Sequence, residues 1–197
     1  MPFALSDFVA TLIESAAFVL ALGYVLLSIR QVIWGWPLMI ASSVLYGVLF
    51  AASRLYGQAA LQGVFVAIGL WGWWQWRCGR KGDAPLQVTP LAARTRWLLG
   101  LGWAALSVAS ALALARLTDA AAPWLDAFTT LGSLVGQVLT ARKYVEAWPV
   151  WIVVNLVSVA LFVQQQLWLT ALLYGVFVGL SVIGWHQWRR AARVAFG

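Results

Sequence analysis

Apolar residues run along this chain in stretches of roughly 20, the length an α-helix needs to cross about 30 Å of hydrocarbon, and polar residues are confined to short islands between them. The alternation of apolar and polar positions that marks a membrane β-barrel is missing; the run from Trp148 to Val163 is apolar on every face, as a lipid-embedded helix is. The pattern predicts seven spans, at residues 10–30, 36–53, 58–76, 97–116, 125–142, 148–163 and 168–188. Pro37 and Pro149 fall at predicted helix starts, where a missing N–H costs nothing. The turns at Arg54-Leu55-Tyr56-Gly57 and Gln164-Gln165-Gln166 are short.

Sliding the chain against itself by 112 residues, without a gap, lays Trp36-Pro37 on Trp148-Pro149 and Trp73-Trp74-Gln75-Trp76-Arg77 on Trp185-His186-Gln187-Trp188-Arg189. From Trp36 to Arg77, 17 of 42 positions are identical. Shared membrane composition does not produce a gapless register that keeps tryptophans, prolines and glutamines together. Upstream, Arg30 meets Arg142 and Glu14 meets Asp126. The expected organisation is a first three-helix repeat (1–77), a cytoplasmic linker (78–96), a central helix (97–118) and a second three-helix repeat (119–197). Three spans are an odd number, so a seventh helix is needed to make two copies parallel. Parallel repeats about an axis normal to the membrane are a known transporter plan, with solute held near the midplane between them.

Composition sharpens this picture. The chain is 63% hydrophobic and 10% charged, against about 45–50% and about 25% in soluble domains. A net charge of +7 would suggest nucleic acid in a soluble protein, but here the basic residues sit at span ends, where the orientation rule accounts for them. With the amino terminus periplasmic and the carboxyl terminus cytoplasmic, inner loops hold Arg30, then Arg77, Arg80, Lys81, Arg94 and Arg96, then Arg142 and Lys143, then Arg189, Arg190 and Arg193. Only Arg54 and Arg116 fall outside. The first residues lack a basic segment ahead of their apolar run and do not read as a cleaved signal peptide. One Cys, one His and no phosphate loop exclude a thiolate metal cluster, an intrachain disulfide and intrinsic ATP hydrolysis, and no nucleophile or base cluster points to an enzyme. No cofactor or metal is expected. A small-solute channel or a receptor remains the alternative to a carrier, and the duplication favours two matched halves rocking about a site.

The segments WGWPLMIASSVLYGVLF and GVFVAIGLWGWWQW, with Arg142-Lys143-Tyr144-Val145-Glu146, Trp151 and Asn155, resemble the PnuC-type nicotinamide riboside transporters. The resemblance covers nearly the whole chain. It implies a 3+1+3 all-α bundle in the bacterial inner membrane, assembled as a homotrimer, through which nicotinamide riboside equilibrates until a cytoplasmic riboside kinase phosphorylates it. Members of this family also carry thiamine or riboflavin.

Nicotinamide riboside presents a flat cationic pyridinium, a carboxamide and ribose hydroxyls. Aromatic faces suit the cation, and Asn or Gln pairs with a carboxamide in both senses. Asn155 falls mid-span with Trp151 one turn earlier, so both project from one face. In the first repeat, Ser43 matches Asn155 and Tyr46 follows Ser43 by three residues. Gln62, Val66, Gly69 and Trp73 form a helical stripe that Tyr174, Val178, Ser181 and Trp185 repeat. Gln137 and Gln62 are candidate partners for ribose or carboxamide. Intramembrane amides also join helices, and tryptophans such as Trp71, Trp74 and Trp76 also form interfacial belts; Trp73 and Trp185 stand apart through their stripes. His186 borders Arg189 and reads as interfacial. Glu14 and Asp126 either complement a helix dipole or draw a cationic solute to the outer mouth. The middle thirds of the spans carry only uncharged residues, so proton coupling is not expected and facilitated diffusion is.

Overall fold

The computed structural model describes residues 7–53, 56–81, 84–117, 122–164, 166 and 168–196. Among these residues are seven α-helices: α1 Asp7–Ile29, α2 Gly35–Ala52, α3 Tyr56–Cys78, α4 Ala93–Leu117, α5 Pro123–Ala141, α6 Ala147–Gln164 and α7 Trp168–Phe196. Two-residue strands β1 (Arg80–Lys81) and β2 (Ala84–Pro85) pair antiparallel after α3. The turn expected at Arg54-Leu55 and the middle of the one at Gln165 lie outside the described residues. Two compact units result, residues 1–86 and residues 87–197. In the first, α2 packs on both α1 and α3; in the second, α4, α5, α6 and α7 pack in chain order.

Four helices, α1 (over Phe8–Ile29), α2, α4 and α6, are long and apolar enough to cross a membrane on those grounds alone. The other three, α3, α5 and α7, have 23, 19 and 29 residues, lengths that reach across hydrocarbon at about 1.5 Å per residue. Their lower hydropathy comes from the groups they carry inward or to their ends, Gln62 on α3, Gln137 on α5, Ser181 and a terminal arginine cluster on α7. Large apolar side chains point outward along α4, including Trp97, Leu98, Leu101 and Leu106, while Ser107 and Ala111 face inward. Such an inside-out helix suits lipid as its solvent, and the fold is an all-α membrane bundle.

The 112-residue repeat is visible atom by atom. In the α1–α2 turn, Gln31 N–H donates to Ser28 O (3.0 Å) and Val32 N–H to Leu27 O (2.8 Å); in the α5–α6 turn, Lys143 N–H donates to Thr140 O (3.0 Å) and Tyr144 N–H to Leu139 O (2.9 Å). Gln31 (φ 56°) and Lys143 (φ 55°) both take the left-handed conformation, which ends a helix by a tight αL turn. One turn on, Trp36 lies edge-on to Trp76 (centroids 5.5 Å, 82°) and Trp148 edge-on to Trp188 (5.4 Å, 85°). A Cβ on Gly72 would overlap the Trp36 ring, and one on Gly184 the Trp148 ring. Glycine at these two positions is what lets α3 approach α2, and α7 approach α6, closely enough to bury the indoles.

In the second unit, Gly132, Gly136 and Thr140 recur every four residues along α5 and admit neighbouring rings. A Cβ on Gly132 would strike Trp103 and Val154, and one on Gly136 would strike Trp151. Trp103 Nε1–H donates to Phe128 O at 3.1 Å and its ring stacks on Phe128 (4.5 Å), tying α4 to α5.

Part of the stretch expected to be a cytoplasmic linker (78–96) is docked on the second unit. Residues 87–92 lie along the α5–α6 turn: Thr89 N–H donates to Lys143 O (3.1 Å) and Val145 N–H to Thr89 O (3.2 Å), with Val88 and Thr89 buried. Leu91 packs with Leu139 and Ala147. Glu146 accepts from Leu91 N–H at 3.0 Å and pairs with Arg96 Nε at 2.9 Å, while that same Nε donates to Leu91 O at 2.9 Å. Helix α4 consequently begins at Ala93, not at residue 97. Helical hydrogen bonding needs no hydrocarbon, so the polar turn bearing Arg94 and Arg96 is helical too.

Candidate functional site

Polar groups inside a bundle must find partners, because lipid supplies none. The second unit meets this requirement in part, through a chain of hydrogen bonds, while Ser107 Oγ and Trp148 Nε1 are buried without a partner among the described residues. Asn155 on α6 is 6% exposed, and its Nδ2 donates to Ser181 Oγ on α7 at 3.4 Å, the long end of the hydrogen-bond range. Ser181 Oγ donates in turn to Phe177 O at 2.7 Å. Among the described residues the Asn155 Oδ1 accepts no hydrogen bond. Trp151, one turn before Asn155, donates through Nε1 to Thr140 Oγ1 (3.3 Å), and Thr140 donates to Gly136 O (2.8 Å). The indole is thereby fixed against α5, where Gly136 leaves room for it.

Gln137, next to Gly136, is 2% exposed. Tyr174 on α7 lies two turns before Ser181 and packs against Phe162 (5.0 Å) and Phe177 (5.9 Å). Gln137, Trp151, Asn155 and Tyr174 thus lie on α5, α6 and α7, and Asn155 reaches the helix of Tyr174 through Ser181. Trp185, the last member of that stripe, is placed elsewhere: it lines a cavity with Glu146, Pro149 and Arg189, whose Cζ sits 5.2 Å from its ring centroid. Asp126 occupies the first turn of α5, half-buried.

In the first unit, Ser43 is buried on α2, beside Ser42, whose Oγ donates to Ala17 O on α1 at 2.7 Å. Tyr46 stacks on Phe50 of its own helix (5.9 Å, 18°). Gln62 on α3 faces Gly47 of α2, its Cβ 3.5 Å from where a Cβ on that glycine would sit. Trp73 is half-buried near the end of α3, and Glu14 is exposed on α1.

Thr140 and the Glu146–Arg96 pair escaped the sequence reading. Thr140 could have been found from the four-residue spacing of Gly132, Gly136 and Thr140; the ion pair could not, because 50 residues separate its partners in the chain. Burial also holds the Lys143 ammonium, in the α5–α6 turn, below its usual range.

A lipid-facing helix bundle that keeps amides and indoles inside, with no group of three or more His, Cys, Asp or Glu able to hold a metal among the described residues, has the build of a solute-handling membrane protein. The family model for the nicotinamide mononucleotide transporter matches residues 11–190. The riboflavin/roseoflavin transporter RibM of Streptomyces davaonensis is 31% identical over 86% of this chain and 78% of its own length. The nicotinamide riboside transporter PnuC of Escherichia coli K12 is 29% identical over 76% of this chain and 73% of its own. A crystal structure of the vitamin B3 transporter PnuC superposes with a TM-score of 0.73 over 93% of this chain and 83% of that one, at 24% identity. The chain belongs to the nicotinamide mononucleotide transporter family, of the PnuC type, and is an integral membrane transporter, not an enzyme.

Proposed function

We propose that this protein imports nicotinamide riboside across a bacterial inner membrane by facilitated diffusion, and that phosphorylation by a cytoplasmic riboside kinase traps the product. The named relatives support a vitamin as substrate. The observation that carries the finer reading is the buried Asn155 amide, which spends one N–H on a 3.4 Å bond and keeps its Oδ1 and second N–H for a ligand. A carboxamide is the group that uses both at once. Trp151, held by Thr140, offers its remaining surface to the pyridinium, and Gln137 and Tyr174 pair with the ribose hydroxyls. Ser43 and Gln62, the 112-residue equivalents of Asn155 and Tyr174, take the corresponding roles in the first repeat, with Tyr46 and Trp73 as further aromatic contacts. Glu14 and Asp126 draw the cation to the outer mouth, with the amino terminus periplasmic and the carboxyl terminus cytoplasmic, in a homotrimer.

A second reading, a larger flat ring such as riboflavin, is favoured by the Streptomyces relative. Calorimetry on the purified protein with nicotinamide riboside, riboflavin and thiamine separates the two. Tightest binding to nicotinamide riboside is expected; tighter binding to riboflavin moves the assignment to that class.

A further inference from the structure

One feature of the second unit is not used by this reading of the substrate site. At the ends of α4 and α7, a cavity of about 800 Å³ is lined by Arg96, Glu146, Pro149, Arg189 and Arg193, with Val145, Pro90, Trp185 and Ala192 completing its walls. Its volume falls within the roughly 300–1,000 Å³ of small-molecule sites. Three arginines face one glutamate, and that glutamate is already committed to Arg96 at 2.9 Å and to Leu91 N–H at 3.0 Å. Among the described residues neither Arg189 nor Arg193 is in an ion pair. Arg189 is stacked on Trp185, which orients its planar guanidinium, and Arg193 follows one helical turn later on the same face.

An ordinary basic membrane flank spreads its arginines round the helix and needs no cavity. Here two uncompensated guanidiniums and one fixed ion pair bound a concave space whose other walls are apolar. Planar guanidiniums match phosphate oxygens in bidentate geometry, and the apolar walls suit a substituent carried by that phosphate. We propose that this cavity binds a phosphate ester, with the oxyanion on Arg189 and Arg193 and the organic portion against Val145, Pro149 and Ala192. Two sources share that chemistry: the headgroup of an anionic phospholipid, which reaches basic pockets at helix ends, and a soluble phosphate monoester.

The test uses the full-length protein in neutral phosphatidylcholine nanodiscs. In one arm phosphatidylglycerol is titrated in and retained lipid is counted by native mass spectrometry after transfer to detergent; in the other, adenosine monophosphate is added and the shift in unfolding midpoint recorded. Retention of phosphatidylglycerol assigns the cavity to lipid, and stabilisation by the nucleotide assigns it to a soluble ester. In whichever arm responds, Arg189→Gln and Arg193→Gln should each weaken binding about fivefold, the worth of one arginine at a membrane surface. Arg190→Gln removes the same charge from the neighbouring position, which does not line the cavity, and should leave binding unchanged. Unfolding midpoints without anion confirm that the variants are folded, and Arg189→Lys supplies a charge-preserving replacement if Arg189→Gln is not. A response to neither probe, or an Arg190→Gln loss equal to that of Arg189→Gln, would overturn the proposal.

Discussion

Replacing Asn155 by leucine removes an amide while keeping the branched frame of four side-chain heavy atoms. The change is informative because the surrounding contacts survive it. Ser181 Oγ keeps its 2.7 Å bond to Phe177 O, and what disappears inside the protein is a single 3.4 Å bond, too long to contribute much. The fold should therefore stand, with an unfolding midpoint close to that of the parent. A bound carboxamide, by contrast, loses its partner in a place where water does not replace it, a cost of about 1–3 kcal/mol. That corresponds to an increase of about 5- to 150-fold in Kd for nicotinamide riboside. Calorimetry on purified Asn155→Leu measures it, with Ser181→Ala as the companion that deletes the same 3.4 Å bond but leaves the amide. Affinity should fall in the first and hold in the second. A folded Asn155→Leu protein with unchanged affinity would show that this amide joins α6 to α7 and nothing more.

Two further outcomes follow from the packing. Gly184→Ala places a Cβ 2.5 Å from the rigid Trp148 ring and should destabilise by about 1–3 kcal/mol, whereas Gly179→Ala, with nothing within 4 Å, should stabilise by up to about 1 kcal/mol; thermal unfolding that ranks them the other way contradicts the contact. Glu146→Gln weakens the hold on Leu91 and Arg96, so amide exchange at Thr89, Leu91 and Val145 should quicken by roughly tenfold, the worth of about 1.4 kcal/mol of lost charge-assisted bonding. Protection equal to the parent's would show that the backbone bridge to Tyr144 and the packing of Leu91 hold the segment without Glu146.

Much of the fold was legible because membrane helices announce themselves by length and apolarity, and because a gapless repeat fixes equivalent positions. Trp36 and Trp148 end up in the same contact, with the same glycine opposite, as their 112-residue separation requires. The docking of residues 87–92 was not legible, since its backbone bonds to Lys143 and Val145 have no side-chain signature and Glu146 lies 55 residues from the Leu91 amide it holds. Within the site, i+4 spacing put Trp151 and Asn155 on one face of α6, yet their partners lie on different helices, Thr140 on α5 and Ser181 on α7. Spacing also grouped Trp185 with Ser181; one turn along α7 the indole lines the arginine-bearing cavity. Periodicity gives direction around a helix and is blind to what stands opposite at each level.

Facilitated entry of nicotinamide riboside is tested most directly by flux into proteoliposomes containing only this protein. Labelled substrate should equilibrate and never exceed its outside concentration, whatever proton or sodium gradient is imposed. A riboside kinase with ATP in the lumen should convert equilibration into accumulation of phosphorylated product, because the added charge removes it from the exchangeable pool. Gradient-driven accumulation of unmodified substrate, or no entry at all, would contradict this mechanism.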